Sequence, residues 1–151
     1  MKAVIQRVKQ ASVKINGNLH SHIDKGLLVF LAISRDDEEK DIDYMIEKLL
    51  NLRIFSNEEG KFDYSISSIK GEILIVSQFT LYGDTSKGRR PDFTLSAPIK
   101  MAEEIYNKFL ERLKQKYSAV KAGVFREEML VSLENDGPVT IIVESKTNCS
   151  K

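Results

Sequence analysis

The sequence predicts an α+β fold, and three observations carry the prediction. Strand-like segments cluster at the start of the chain, two amphipathic stripes with helical spacing follow separately, and strands and helices do not alternate strictly as they do in a doubly wound sheet. The elements follow in order. Ala3–Val8, Ser12–Ile15, a strand through Ile23 and Gly26–Ile33 read as an antiparallel meander, with Asn16-Gly17 between alternating segments as its hairpin signal. Asp36 or Asp37 then caps a helix whose apolar positions Ile42, Met45, Ile46, Leu49 and Leu50 form one buried stripe. Arg53-Ile54-Phe55 is a short strand, Asn57 to Gly60 a loop, and the stretch from Asp63 to Ile69 looks variable and is given no element. Glu72 to Val76 is short, continuous and apolar, which suits a strand covered on both faces. Pro98 suits the first position of a second helix that runs to near Lys116, with Ala102, Ile105, Tyr106, Phe109, Leu110 and Leu113 inward. A short strand around Ala119–Lys121 follows. Met129–Leu133 and Val139–Val143, joined through Asp136-Gly137-Pro138, read as a final hairpin.

At 151 residues the chain has the size of one domain, taken here as residues 1–151, and it can bury a core without staples. With 42% hydrophobic and 30% charged residues it reads as a soluble globular protein, and no apolar run approaches membrane-spanning length. The start enters strand pattern directly, so no signal peptide is read and the cytoplasm is the expected compartment. Cys149 is the single cysteine and lies in a polar stretch, 146–151, that reads as a disordered tail. The net charge of +1 gives no global signal for nucleic acid, so any RNA contact must be local. The one dense basic cluster is Lys87, Arg89 and Arg90, closed by Pro91. On its own such a cluster reads as solvated surface.

Two polar interruptions of strand-like runs mark the candidate site. In the first, Ser77-Gln78-Phe79-Thr80 ends the central strand; alternation sends Ser77 and Phe79 one way, Gln78 and Thr80 the other. Thr80 is the most tempting nucleophile, yet no histidine lies close to it in sequence to act as its base. His20 and His22 share a face of the early hairpin without a third ligand nearby, so no metal site is expected. No nucleophile elbow, phosphate-binding glycine loop or Cys-His pair appears. The second interruption is Asn135-Asp136-Gly137-Pro138-Val139-Thr140.

These segments, with Ala3–Val8, Gly26–Val29, Asn51–Phe55, Lys87–Pro91 and Val131–Thr140, resemble in order and spacing the bacterial and eukaryotic type of D-aminoacyl-tRNA deacylase. The resemblance implies a mixed, mainly antiparallel sheet curling toward a barrel with two main helices packed on it, in a homodimer. It also implies hydrolysis of D-aminoacyl-tRNA and mischarged glycyl-tRNA without a cofactor. Ser77 to Thr80 would line a pocket that positions the ester, with the RNA 2′-hydroxyl assisting. Gly137-Pro138 would be a cis dipeptide that enters the partner's pocket and rejects L-aminoacyl groups, so that active sites form across subunits. Lys87, Arg89 and Arg90 would contact tRNA, and Phe125 and Met129 would form the pocket rim. One departure is visible. The family pattern Thr-Gly-x-Phe-Gly-x-x-Met is here Ala122-Gly123-Val124-Phe125-Arg126-Glu127-Glu128-Met129, so Ala122 and Arg126 differ. If the glycine that Arg126 replaces has positive φ, Arg126 adds strain or alters the pocket rim. Two alternatives remain open: an RNA-binding module without chemistry, and a structural dimer without a ligand.

Overall fold

In the computed structural model, which describes residues 1–145, one long strand organises the sheet. β1 (Lys2–Ile15) pairs antiparallel with β3 (Gly26–Ala32) along its first half and with β2 (Asn18–Ile23) along its second. On its other side it pairs antiparallel with β8 (Leu130–Glu144). β6 (Glu72–Ser77) extends the sheet parallel to β3, and β7 (Val120–Ala122) lies parallel to β6. A separate two-stranded piece joins β4 (Phe55–Ser56) and β5 (Phe62–Tyr64). The main sheet curls back on itself: Lys121 of β7 donates Nζ to the His22 carbonyl of β2 at 2.6 Å and pairs with Glu72 at 3.0 Å. The mixed, barrel-like sheet matches the expectation.

Two apolar cores lie on the two faces of this sheet. Ile5, Leu27, Val29, Leu31, Ile73 and Ile75 pack under α1 (Glu39–Asn51) and α3 (Ile99–Lys116), against Ile42, Met45 and Ile46 of the first and Tyr106, Phe109 and Leu113 of the second. Val8, Val13, Leu28, Leu74 and Val76 fill the inside of the curl. Successive residues of β3 and β6 therefore go to opposite cores, which is why both strands read as continuous apolar runs.

Several boundaries differ from expectation. The α1 cap is Glu38, reciprocated by Asp41 in a capping box. Asp37 is not free for that role, because its carboxylate accepts from the Ser34 amide at 2.8 Å and from the Met1 amino nitrogen at 2.5 Å. Pro98 is the cap of α3, one position before the helix begins. Ala3–Val8 and Ser12–Ile15 form one strand with an irregularity between Val8 and Gln10. The variable-looking stretch contains α2 (Ile66–Ile69), a single turn capped by Ser65 and too short to show an apolar period. The expected tail at 146–151, with Cys149, lies outside the described residues.

The largest correction concerns the final hairpin. β8 does not turn back; it runs on along β1 from Leu130 to Glu144. Gln6 faces Thr140 and Val8 faces Asn135, so the four residues Asp136 to Val139 stand opposite Arg7 alone. This is an enlarged bulge rather than a reversal. Pro138 has no N–H to give to a ladder. Side chains supply the missing bonds: Arg7 Nε donates to the Asp136 carbonyl at 2.8 Å, and Asn135 Nδ2 donates to the Val139 carbonyl at 3.0 Å and the Arg7 carbonyl at 3.4 Å.

Candidate active site

β6 delivers its polar end to a cavity. The Gln78 amide makes a last bond to the Leu31 carbonyl at 2.8 Å, and the chain then turns into a single 3-10 turn at Phe79–Tyr82. The strand therefore stops at Ser77, and the alternation expected through Thr80 ends with it. Gln78 Nε2 donates to Thr80 Oγ1 at 2.5 Å, so the Thr80 hydroxyl is engaged by an amide. The amide N–H groups of Phe79 and Thr80 find no acceptor among the described residues, as the opening positions of a helical turn dictate.

The cavity encloses about 540 Å³. Leu31 to Ile33 and Val76 to Phe79 form one wall, Ile99, Ala102 and Tyr106 of α3 a second, and Phe125, Arg126, Glu127 and Met129 a third. The third wall is held from both ends. The Gly123 amide donates to the Ile75 carbonyl at 2.9 Å, and a side chain at Gly123 would begin 2.4 Å from the Met129 sulfur. Phe125 stacks at a tilt on Tyr106, with ring centroids 5.5 Å apart. Burial pushes the Tyr106 hydroxyl's pKa far up, so it stays protonated at ordinary pH. Among the described residues no histidine, cysteine or aspartate lines the cavity.

Ser77, Gln78 and Phe79 thus meet Phe125 and Met129 on one cavity, while Thr80 lies exposed just outside its lining. The basic cluster is also outside. Lys87, Arg89 and Arg90 are exposed on a loop whose neck is closed by the Asp84–Asp92 bridge, and this loop reaches the cavity through Phe93, which packs edge-on against Phe79 at 5.1 Å. Arg126 has a φ of +67°, the left-handed conformation that the expected glycine would take freely.

Gly137 and Pro138 are exposed, joined by a cis bond, and distant from this cavity. The cavity wall at Leu31 pairs with Ala3, whereas Arg7 lies four residues further along β1, roughly 13 Å at about 3.3 Å per residue. Sequence reasoning missed the residue that holds them. Arg7 is 9% exposed, and its guanidinium donates to the Ile54 carbonyl at 2.6 Å as well as to Asp136, under the Phe62 ring. The signal was present: Ala3, Ile5 and Arg7 share one face of β1, so a charged residue occupies a core-facing position.

Residues 4–144 match the family model described as D-Tyr-tRNA(Tyr) deacylase. The chain belongs to that family. The D-aminoacyl-tRNA deacylase of Dictyoglomus turgidum is 53% identical over 146 residues, covering 97% of this chain and 94% of the relative. That of Caldicellulosiruptor saccharolyticus is 51% identical, with 97% and 98% covered. A solved structure described as c-Myc DNA Unwinding Element Binding Protein is similar at a TM-score of 0.92 and 47% identity, covering 97% of this chain and 99% of the other. Membership places the protein among hydrolases, as a D-aminoacyl-tRNA deacylase.

Proposed function

We propose that the protein hydrolyses the ester of D-aminoacyl-tRNA, and of mischarged glycyl-tRNA, in the cytoplasm, by holding the ester against backbone amides at the edge of an apolar cavity. The observation that carries this reading is the pair of unpartnered amides at Phe79 and Thr80 beside the cavity. An aminoacyl ester is already activated, so two oriented donors for the developing oxyanion, with correct positioning, can supply much of the rate. The vicinal 2′-hydroxyl of the terminal ribose assists, since no histidine lies among the described residues that line the cavity. Ser77 and Gln78 fix the turn that aims the amides.

Selectivity comes from a second copy of the chain. Gly137 and Pro138 project from a bulge that cannot reach the cavity of their own chain, because the paired strands β1 and β3 hold the two apart. Inserted into a partner's cavity, a backbone wall without side chains leaves no space for an L substituent at the α-carbon. It leaves the D side ungripped and cannot reject glycine. The exposed Lys87, Arg89 and Arg90 then meet the phosphates of the acceptor stem.

Single-turnover deacylation tests this directly. D-Tyr-tRNA and Gly-tRNA should be cleaved, L-Tyr-tRNA should persist at matched enzyme concentration, and a 2′-deoxy terminal adenosine should slow the reaction. Appreciable L-Tyr hydrolysis would refute the rejection wall, and an acyl-enzyme lost on Thr80→Ala would refute positioning in favour of a nucleophile. A second reading, nucleic-acid binding without chemistry, is favoured by the solvent-exposed basic loop and by the similarity to a structure described as DNA-binding. It predicts salt-sensitive retardation of RNA with the amino acid left attached.

A further inference from the structure

Among the described residues, three that are not glycine have positive φ: Asn16, Lys70 and Arg126. The first two have local reasons. Asn16 sits in the β1–β2 turn, and Lys70 closes α2 with its N–H directed at the Ile66 and Ser67 carbonyls. Arg126 lies in a turn as well, one closed by the Glu127 amide donating to the Val124 carbonyl at 3.3 Å. Like Lys70 it carries a long side chain in a region that favours glycine, but of the three it alone lies on the cavity. Its guanidinium has no carboxylate, carbonyl or ring partner among the described residues, unlike those of Arg7, Arg53 and Arg112.

We infer that Arg126 is a phosphate contact for the 3′ end of the RNA, a specificity residue that grips the phosphodiester next to the terminal adenosine. The inference rests on the deacylase reading above. A substrate whose ester sits against Phe79 and Thr80 carries its first phosphate one ribose away, at the mouth of the same cavity. Among the described residues Arg126 is the sole cation lining that cavity, and a guanidinium offers a planar fork matched to phosphate oxygens. Glu127 on the same rim cancels its charge at a distance, so the attraction must come from direct contact rather than a diffuse field. The turn that holds Arg126 at positive φ then presents the fork at the mouth.

Arg126→Gly tests this cleanly, because glycine keeps φ positive without strain and the variant should melt no lower than the parent. With D-Tyr-tRNA, KM should rise about tenfold while kcat stays within about twofold, as expected for one lost charge-assisted contact. The slope of log(kcat/KM) against log salt should flatten by about 0.7, the value for one single-stranded phosphate. With 3′-O-D-tyrosyl-adenosine, which has no phosphate, the loss should be at least about fivefold smaller, and Arg126→Lys should restore the salt slope. Equal losses on both substrates, or an unchanged KM for the tRNA with an active parent, would overturn the inference alone. A parent inactive on D-Tyr-tRNA would overturn the deacylase reading and the inference with it.

Discussion

At one end of the β1–β3 pair the protein is concave, and at the other it is convex. The cavity beside Ser77 to Phe79 offers outward-facing amides, short polar side chains and a broad apolar lining. The bulge from Asp136 to Val139 offers an exposed Gly137-Pro138 held from beneath by a buried arginine. Both ends interrupt a strand, but they are stabilised differently. The cavity end leaves backbone donors open to whatever enters, whereas at the bulge end side chains satisfy the Asp136 and Val139 carbonyls and brace an exposed knob. Open donors suit a surface that must bind, and a braced knob suits one that must exclude.

The largest effect expected is at the brace. Arg7→Met should remove the bonds to the Asp136 and Ile54 carbonyls and leave them unpaired, destabilising the fold by about 3 kcal/mol, measurable by urea unfolding. The same variant should lose discrimination between D-Tyr- and L-Tyr-tRNA. If it becomes inactive on D-Tyr-tRNA while discrimination persists in the residual activity, the bulge belongs to catalysis rather than exclusion. At the concave end, Phe125→Ala should remove the ring packed on Tyr106 and cost about 2 kcal/mol, below the range for a fully buried ring because Phe125 is only half-buried. It should lower turnover without changing D-over-L preference. Thr80→Ala should be smaller again, within about 0.5 kcal/mol in stability because Thr80 is exposed, with a partial rate loss. Complete rate loss there would make the concave end a nucleophilic site.

The smallest effect is remote from both ends. The Glu72 carboxyl is held below its ordinary pKa, first by the Asp24 amide that it accepts at 2.7 Å and then by Lys121. Because the folded value is depressed, the stabilisation is present above the unfolded pKa and disappears as pH falls through the folded one. Glu72→Gln should therefore lower stability at neutral pH while flattening the acid limb of a melting-temperature profile. An unchanged acid limb would show that the curl is not closed through this contact.

Much of the scaffold was legible in the sequence because its signals are periodic. β3 and β6 read as doubly covered strands, the two long helices showed their stripes, and Asn16-Gly17 marked its turn. What escaped was set by single tertiary contacts. Asp36 and Asp37 look like better caps than Glu38 by residue type, and the bonds that Asp37 makes to Met1 and Ser34 in the fold remove it from the choice. Asp136-Gly137-Pro138 has the composition of a reversal, and only the buried side chain of Arg7, more than a hundred residues earlier, turns it into a bulge. The positive φ of Arg126 was foreseeable only as a conditional consequence of a missing glycine, since arginine itself carries no signal for that conformation.

Strand β1 also acts as a ruler. Ala3 registers with the cavity wall and Arg7 with the bulge, so the stretch between them sets both a distance and a facing direction. One residue added or removed between Ala3 and Arg7 would move the knob by a strand step and also turn Arg7 from the core to the opposite face. This short segment should therefore accept changes of side chain far more readily than changes of length, and relatives that share the pairing should keep its residue count fixed while its surface-facing residues drift.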